Sequence, residues 1–158
     1  MKFEQKFAER AIARSLATTI LGLLLVAAAP RRAPPPDPVQ GAWTTQDGNG
    51  VIAIAPCGDA LCGRIVGIRR APGAPIPRDV TGASQCGLTI LRNERPTAEG
   101  DWLGEITDPR SGKTYGAKLW LDRHGNLRVR GFLGVPLLGE TQTWRRFTGT
   151  IGEGCVPQ

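Results

Sequence analysis

The stretch DWLGEITDPRSGKTYGAKLWLDRHGNLRVRGFLGVPLLGETQTWRR, Asp101–Arg146, decides the fold. Turn chemistry divides it into short β-rich segments. Trp102 to Thr107 stops at Asp108-Pro109-Arg110-Ser111-Gly112, and Lys113 to Asp122 stops at Arg123-His124-Gly125-Asn126. Leu127 to Leu133 stops at Gly134-Val135-Pro136, and Thr141 to Phe147 closes the set. Pro109 presets the backbone for a turn, while Gly112, Gly125 and Asn126 accommodate positive φ at little cost. Short strands at this spacing form an antiparallel meander, which curls into a sandwich or barrel.

The pattern extends upstream. Gly41 to Thr45 opens the domain, and the polar turn Asp47-Gly48-Asn49-Gly50 leads into a second strand, Val51 to Ala55. Cys57 to Cys62 reads as a tight loop, and Gly63 to Ile68 as a strand running back. Arg69 to Ser84 carries three prolines and reads as an excursion over the surface; Cys86 to Leu91 is a further apolar run. About eight strands in all suffice to close a small barrel. The 21 glycines, 13 prolines and single methionine among 158 residues fit a turn-rich, all-β chain better than a helical one.

Alternation assigns the faces of the meander. Tyr115, Ala117, Leu119 and Leu121 share one side, with Thr114, Lys118 and Trp120 on the other; Leu127, Val129, Gly131 and Leu133 alternate with Arg128, Arg130 and Phe132. The aliphatic sets point inward. The small residues Ala117 and Gly131 on that face either leave a cavity or make room for Tyr115 and Leu119 in a solid core. A narrow pocket lined by Tyr115, Leu119, Leu127 and Val129 is the favoured expectation.

Residues 1–29 stand apart. Lys2, Lys6, Arg10 and Arg14 form a basic start, diluted by Glu4 and Glu9, before an uncharged run from Ser15 to Ala29. Ala27-Ala28-Ala29 satisfies the small-x-small rule for cleavage, so the segment reads as a secretory signal peptide. The run is shorter than the roughly 20 residues that span a bilayer, so no stable transmembrane segment is expected after cleavage. Residues 30–40, with Arg31-Arg32-Ala33-Pro34-Pro35-Pro36-Asp37-Pro38, read as a stiff proline-rich linker. The domain is then residues 41–158. The formal charge of +6 falls to +4 once four basic and two acidic residues leave with the signal.

Cys57, Cys62, Cys86 and Cys155 make an even count behind a signal, which implies disulfides with three possible pairings. Cys57 and Cys62 flank a turn and are expected to pair across it, leaving Cys86 for Cys155. Zinc is a poor alternative, because no histidine lies near the four-residue gap. A redox motif would want two residues between the cysteines.

Three blocks resemble a known family: Ala55-Pro56-Cys57-Gly58-Asp59-Ala60-Leu61-Cys62-Gly63-Arg64-Ile65-Val66, Asp108 to Tyr115, and Arg130 to Gly134 with Thr143 to Arg146. They are similar, in order, to the bacterial exported family called domain of unknown function 2147, over about Gly41 to Phe147. The resemblance implies an exported, lipocalin-like β-barrel with no agreed activity, whose members look suited to apolar small molecules. Lipocalins carry Gly-x-Trp on the first strand and an arginine on the last that lies over the tryptophan. Gly41-Ala42-Trp43 and Arg146 occupy those places here. The pair is expected to close one barrel end through packing and a cation–π contact.

Catalytic readings find little support. The single histidine, His124, lies in a polar turn, and no Gly-x-Ser-x-Gly, phosphate loop or metal-ligand pair occurs. Asp59, Asp108 and Tyr115 are the acid/base groups within the family-like blocks; turn-stabilising hydrogen bonds account for the two aspartates. Arg128 and Arg130, beside Trp120 and Phe132, with Arg145 and Arg146 on the closing strand, outline a basic outer stripe. Export sets nucleic acid aside; anionic lipid or wall polymer is the partner such a stripe would suit, and a solvated cationic face on an antiparallel sheet is the simpler reading.

The sequence therefore reads as an all-β, lipocalin-like barrel, periplasmic or secreted, without cofactor or metal. It is expected to bind a small apolar or amphipathic molecule. The other reading is an envelope interaction module with a filled barrel and a basic outer face. Export has a direct consequence: N-terminal sequencing of protein recovered from the periplasm should begin near Pro30. Recovery of the intact chain from the cytoplasm would remove the basis for both the signal and the disulfides.

Overall fold

In the computed structural model, residues 37–158 are described; residues 1–29, expected to be a signal peptide, and most of the expected linker lie outside them. Eight antiparallel strands form a closed barrel: β1 (Gly41–Thr44), β2 (Gly50–Cys57), β3 (Ala60–Ile68), β4 (Thr89–Pro96), β5 (Trp102–Thr107), β6 (Thr114–Leu121), β7 (Leu127–Phe132) and β8 (Gly139–Arg146). Each pairs with its sequence neighbour, and β1 pairs with β8 through Trp43↔Arg146 and Thr44↔Arg145. That seam removes both sheet edges, which would otherwise expose unpaired backbone groups. Among the described residues no helix is long and apolar enough to cross a membrane.

The turns do what their residues dictate. Asp108 accepts from the Arg110 N–H at 3.0 Å and the Ser111 hydroxyl at 2.7 Å, and the Gly112 N–H donates to its carbonyl. Asp122 accepts from the N–H groups of His124 and Asn126 in the β6–β7 turn. Gly125 there takes φ +75°, whereas Asn126, expected to share that role, is held by its bonds to Asp122 instead.

The strand edges differ from the expectation in three places. The β2–β3 hairpin turns on Gly58-Asp59 alone, so Cys57 and Cys62 belong to strands and their disulfide lies across the hairpin, Cα to Cα 5.7 Å. β4 starts only at Thr89, because Cys86 is drawn into a disulfide with Cys155. Leu133 follows the inward alternation in sequence but is 66 % exposed, since β7 ends at Phe132. After the barrel, β9 (Ile151–Gly152), a 3-10 turn at Glu153–Cys155 and β10 (Val156–Pro157) form a small appendage. Its Ile151 and Pro157 side chains lie against Gly67 of β3.

One half of the barrel is packed solid. Trp43, Leu91, Leu119 and Leu127 are essentially inaccessible, with Ile54, Leu61, Trp102 and Trp144 around them. The Arg146 guanidinium lies over Trp43, 3.7 Å from its ring centroid. Gly41 has φ +123°, and a Cβ there would collide with Arg146, which gives Gly-x-Trp its physical reason.

The end of the supposed linker belongs to this plug. Asp37 accepts the Val39 N–H, and Val39 is buried in the core with its carbonyl on the Trp43 indole N–H at 2.8 Å. Arg146 donates to the carbonyls of Pro38 and Gln40, and Asp37 accepts the Trp102 indole N–H at 3.3 Å. The folded domain therefore begins by Asp37, not at Gly41. Val39 supplies an apolar anchor that the surrounding prolines obscure.

Replacing Arg146 with Ala uncovers the indole and frees two carbonyls. The expected loss is on the order of 1 to 2 kcal/mol in denaturant unfolding, with a shift in Trp fluorescence. Unchanged stability would mean that Trp43 and Val39 seal this end unaided.

Candidate functional site

The opposite half of the barrel is open. A cavity of about 910 Å³ lies there, with a floor that includes Ile52, Ile65, Ile68, Ile90, Ile106 and Val129. Tyr115 and Trp144 complete its apolar wall. The β1–β2 turn brings Asp47 and Asn49 to the mouth, the β5–β6 turn brings Asp108 and Arg110, and Arg69 enters from the end of β3. Inward positions of β8 contribute Glu140 and Gln142, whose amide oxygen accepts the Trp144 indole N–H at 2.8 Å. An apolar interior thus rises to a polar rim.

The sheet explains this division. Gly131 opposes Ala117 on β6 and Glu140 on β8, and a Cβ at Gly131 would meet only Ile106, 3.9 Å away. The barrel is empty where a glycine faces inward. The narrow pocket expected from the sequence is too small for what the barrel contains.

The excursion between β3 and β4 forms part of the rim instead of lying idle on the surface. Pro77 and Gln85 line the cavity, and Gln85 is nearly buried, its amide donating to the Arg78 carbonyl at 3.0 Å. The Val80 N–H reaches the Pro109 carbonyl at 3.2 Å and ties the excursion to the β5–β6 turn. Arg70 bonds the carbonyls of Ala74 and Gly154, and the Cys86–Cys155 disulfide fastens the same region to the C-terminus.

The proposed lining residues separate by level. Tyr115 and Val129 border the cavity, whereas Leu119 and Leu127 share their face but lie in the packed half, and neither lines the opening. Ile52, Ile65, Ile68 and Ile90 come from strands before the meander, and Ile106 from its first strand, whose faces the alternation of β6 and β7 does not assign. Glu140 and Gln142 could have been found by counting back in twos from Trp144.

The outer basic stripe is partly committed within the fold. Arg146 is taken up by the Trp43 ring and the Pro38 and Gln40 carbonyls; outside the stripe, Lys118 pairs with Asp101 at 2.6 Å. Arg130 bonds the Thr141 hydroxyl and the carbonyls of Pro136 and Leu137. His124 is exposed in the β6–β7 turn, at the closed end. Among the described residues no group of three or more His, Cys, Asp or Glu side chains is placed to hold a metal ion.

A family model described as "Uncharacterized protein conserved in bacteria (DUF2147)" matches residues 41–146. The chain belongs to this family. A solved Helicobacter pylori protein, described as belonging to the lipocalin family, has a similar fold, with TM-score 0.60 at 16% identity. The match covers 69% of this chain and 82% of that one. The barrel of this DUF2147 member is accordingly lipocalin-like. No curated protein matches the chain.

The rim carboxylates of this DUF2147 barrel are acidified by their turns. At Asp47, partial burial opposes ionisation, but bonds from Thr45 and Asn49 and the Arg110 charge outweigh it and lower the pKa. At Asp108 the Ser111 hydroxyl leads, with the Arg110 N–H and its charge also holding the pKa down. Folded values below the ordinary 3.8 mean that these bonds contribute fully above that pH and are lost as pH falls through the folded values. Asp108→Asn should therefore melt at a lower temperature than wild type at neutral pH, with the gap closing as pH falls from 3.8 through the lowered folded value. A gap that persists in acid would assign the loss to the side-chain change itself and not to ionisation.

Proposed function

We propose that the barrel binds a small amphipathic molecule, with its apolar part among the floor isoleucines and its polar end at the rim. The observation that carries this reading is the cavity itself, open at one end and lined by apolar and polar side chains in comparable measure. Its volume of about 910 Å³ lies within the range of small-molecule sites. Burial of an apolar chain supplies the binding energy, at about 25 cal/mol per Å² removed from water. The rim groups orient the polar end and add little net affinity, because they exchange water for ligand.

The lipocalin-like barrel shape supports a binder, and no step of catalysis is assigned to the rim. Asp108 is occupied by its own turn. Two disulfides, Cys57–Cys62 and Cys86–Cys155, fit an oxidising compartment outside the cytoplasm, in keeping with export. A module with a filled barrel is the weaker reading, since the interior is packed in one half only.

Gly131 offers the test. A Gly131→Leu side chain would project into open space against Ile106, obstructing part of the cavity wall without disturbing the packed half. Titration with a dansyl-labelled fatty acid should show binding by wild type and a loss on the order of tenfold in the variant, with equal thermal stability. No binding by wild type, of this probe or of any molecule co-purified from the cell envelope, would sink the reading. Equal binding by the variant would move the site elsewhere.

A further inference from the structure

The turn between β7 and β8 does not resemble the other turns of the barrel. From Gly131 to Gly139 the sequence GFLGVPLLG contains no charged residue. Leu133, Val135, Leu137 and Leu138 are exposed to 66, 53, 85 and 69 %. Four large apolar side chains on one short exposed turn form a contiguous patch of the kind that marks an interaction site, not scattered surface apolarity.

The turn is also built rigidly. The N–H groups of Leu133, Val135 and Leu138 donate to the carbonyls of Leu138, Leu133 and Val135. Arg130 crosses beneath and donates to the carbonyls of Pro136 and Leu137. Pro136 has no N–H to satisfy. Five of the six carbonyls from Leu133 to Leu138 are thus met within the protein, whereas among the described residues the Gly134 and Leu137 N–H groups find no internal partner. Water would serve an exposed turn equally well. A surface that enters an apolar medium needs its polar backbone satisfied internally.

Position completes the case. The turn stands at the open end of the barrel, continuous through Gly131 and Glu140 with the cavity wall. Gly116↔Phe132 pairing brings the start of β6, with Lys113 just before it, to the same end, and Arg110 stands at the mouth. Asp47, Asp108 and Glu140 share that mouth with the cations, so it is the apolar tip and not net charge that suits a bilayer interface, where such side chains enter the acyl boundary.

We infer that Leu133–Leu138 is a bilayer-docking tip that seats the mouth of the barrel on a lipid surface, so that the cavity's occupant enters from the membrane. The second half of this statement rests on the ligand-binding reading above. The first does not. Docking contributes through apolar area, with the neighbouring cations secondary.

Hydrogen exchange of the native protein on vesicles of phosphatidylethanolamine and phosphatidylglycerol tests the docking directly. The turn's amides should exchange about tenfold more slowly on vesicles than in buffer, with the closed-end turn at Asp122–Asn126 unchanged. Leu137→Asp with Leu138→Asp, at positions too exposed to affect folding, should abolish that protection while leaving fatty-acid titration in solution intact. In the wild-type protein, an intact titration beside absent protection on vesicles would overturn docking and keep the binder. Protection without vesicles that grows with protein concentration would show a second copy covering the turn, and would equally overturn the inference. Protection that survives the double substitution would assign it to another part of the chain.

Discussion

The Arg146 guanidinium over the Trp43 ring is the contact on which the rest of the barrel depends. A closed sheet needs its first and last strands to be neighbours, and here β1 is short and meets β8 through two register pairs only. Backbone bonds over so short a seam give little hold. The side chains compensate: Arg146 covers the indole, reaches the carbonyls of Pro38 and Gln40, and thereby ties the incoming chain, β1 and β8 to one another. Gly41 is required because the guanidinium passes where a Cβ would stand. A planar cation with several donors in a fixed fork suits this task, and lysine could not both stack and bond two carbonyls.

Sealing one end so firmly lets the other remain open. Trp43, Leu119, Leu127 and Trp144 fill the lower barrel, with Val39 inserted from below. Above them the inward positions become Gly131, Gln142 and Glu140, which either leave space or prefer water. Closing the same strands around a complete apolar core would require large side chains at those positions. The sequence has instead placed stability in one half and accessibility in the other. Turn chemistry follows the same division, with Asp122 organising the closed end and Asp47 and Asp108 the rim.

Strand number, closure and the outward and inward faces of β6 and β7 were legible because they depend on local rules. Period-two alternation and Asp-Pro, Gly and Asn turns act over a few residues. The two disulfide pairs were legible for a related reason: one spans a hairpin, and the other is what remains. The depth of the cavity was not. Tyr115 and Leu119 lie on one face of one strand, and only strand tilt and register decide that the first borders open space while the second is packed. Leu133 obeys the alternation yet lies beyond the strand end. Asp37–Gln40 read as a tether because prolines dominate the segment, although Val39 inserts into the core. The excursion between β3 and β4 gave no local sign that it would fold over the mouth, because its anchors are at Pro109, Gly154 and Cys155, far away in sequence.

Those distant anchors bear on how the mouth keeps its shape. A rim made of loops alone would fluctuate, and a fluctuating rim cannot orient a ligand's polar end. The Cys86–Cys155 bridge closes a loop of sequence separation 69. Bridges of that span contribute about 4 kcal/mol in the chain-entropy account. More to the point, it fixes the base of the excursion beside Gln85, one residue before Cys86, whose side chain lines the cavity. Arg70 adds a second tie to the C-terminal turn through the Gly154 carbonyl, and the Val80 N–H a third to the β5–β6 turn. The Cys57–Cys62 bridge has no comparable role, since it spans a hairpin at the closed end that the sheet already holds. The two disulfides are therefore unequal. One reinforces a turn, while the other lets a long, proline-containing excursion serve as a wall of the site.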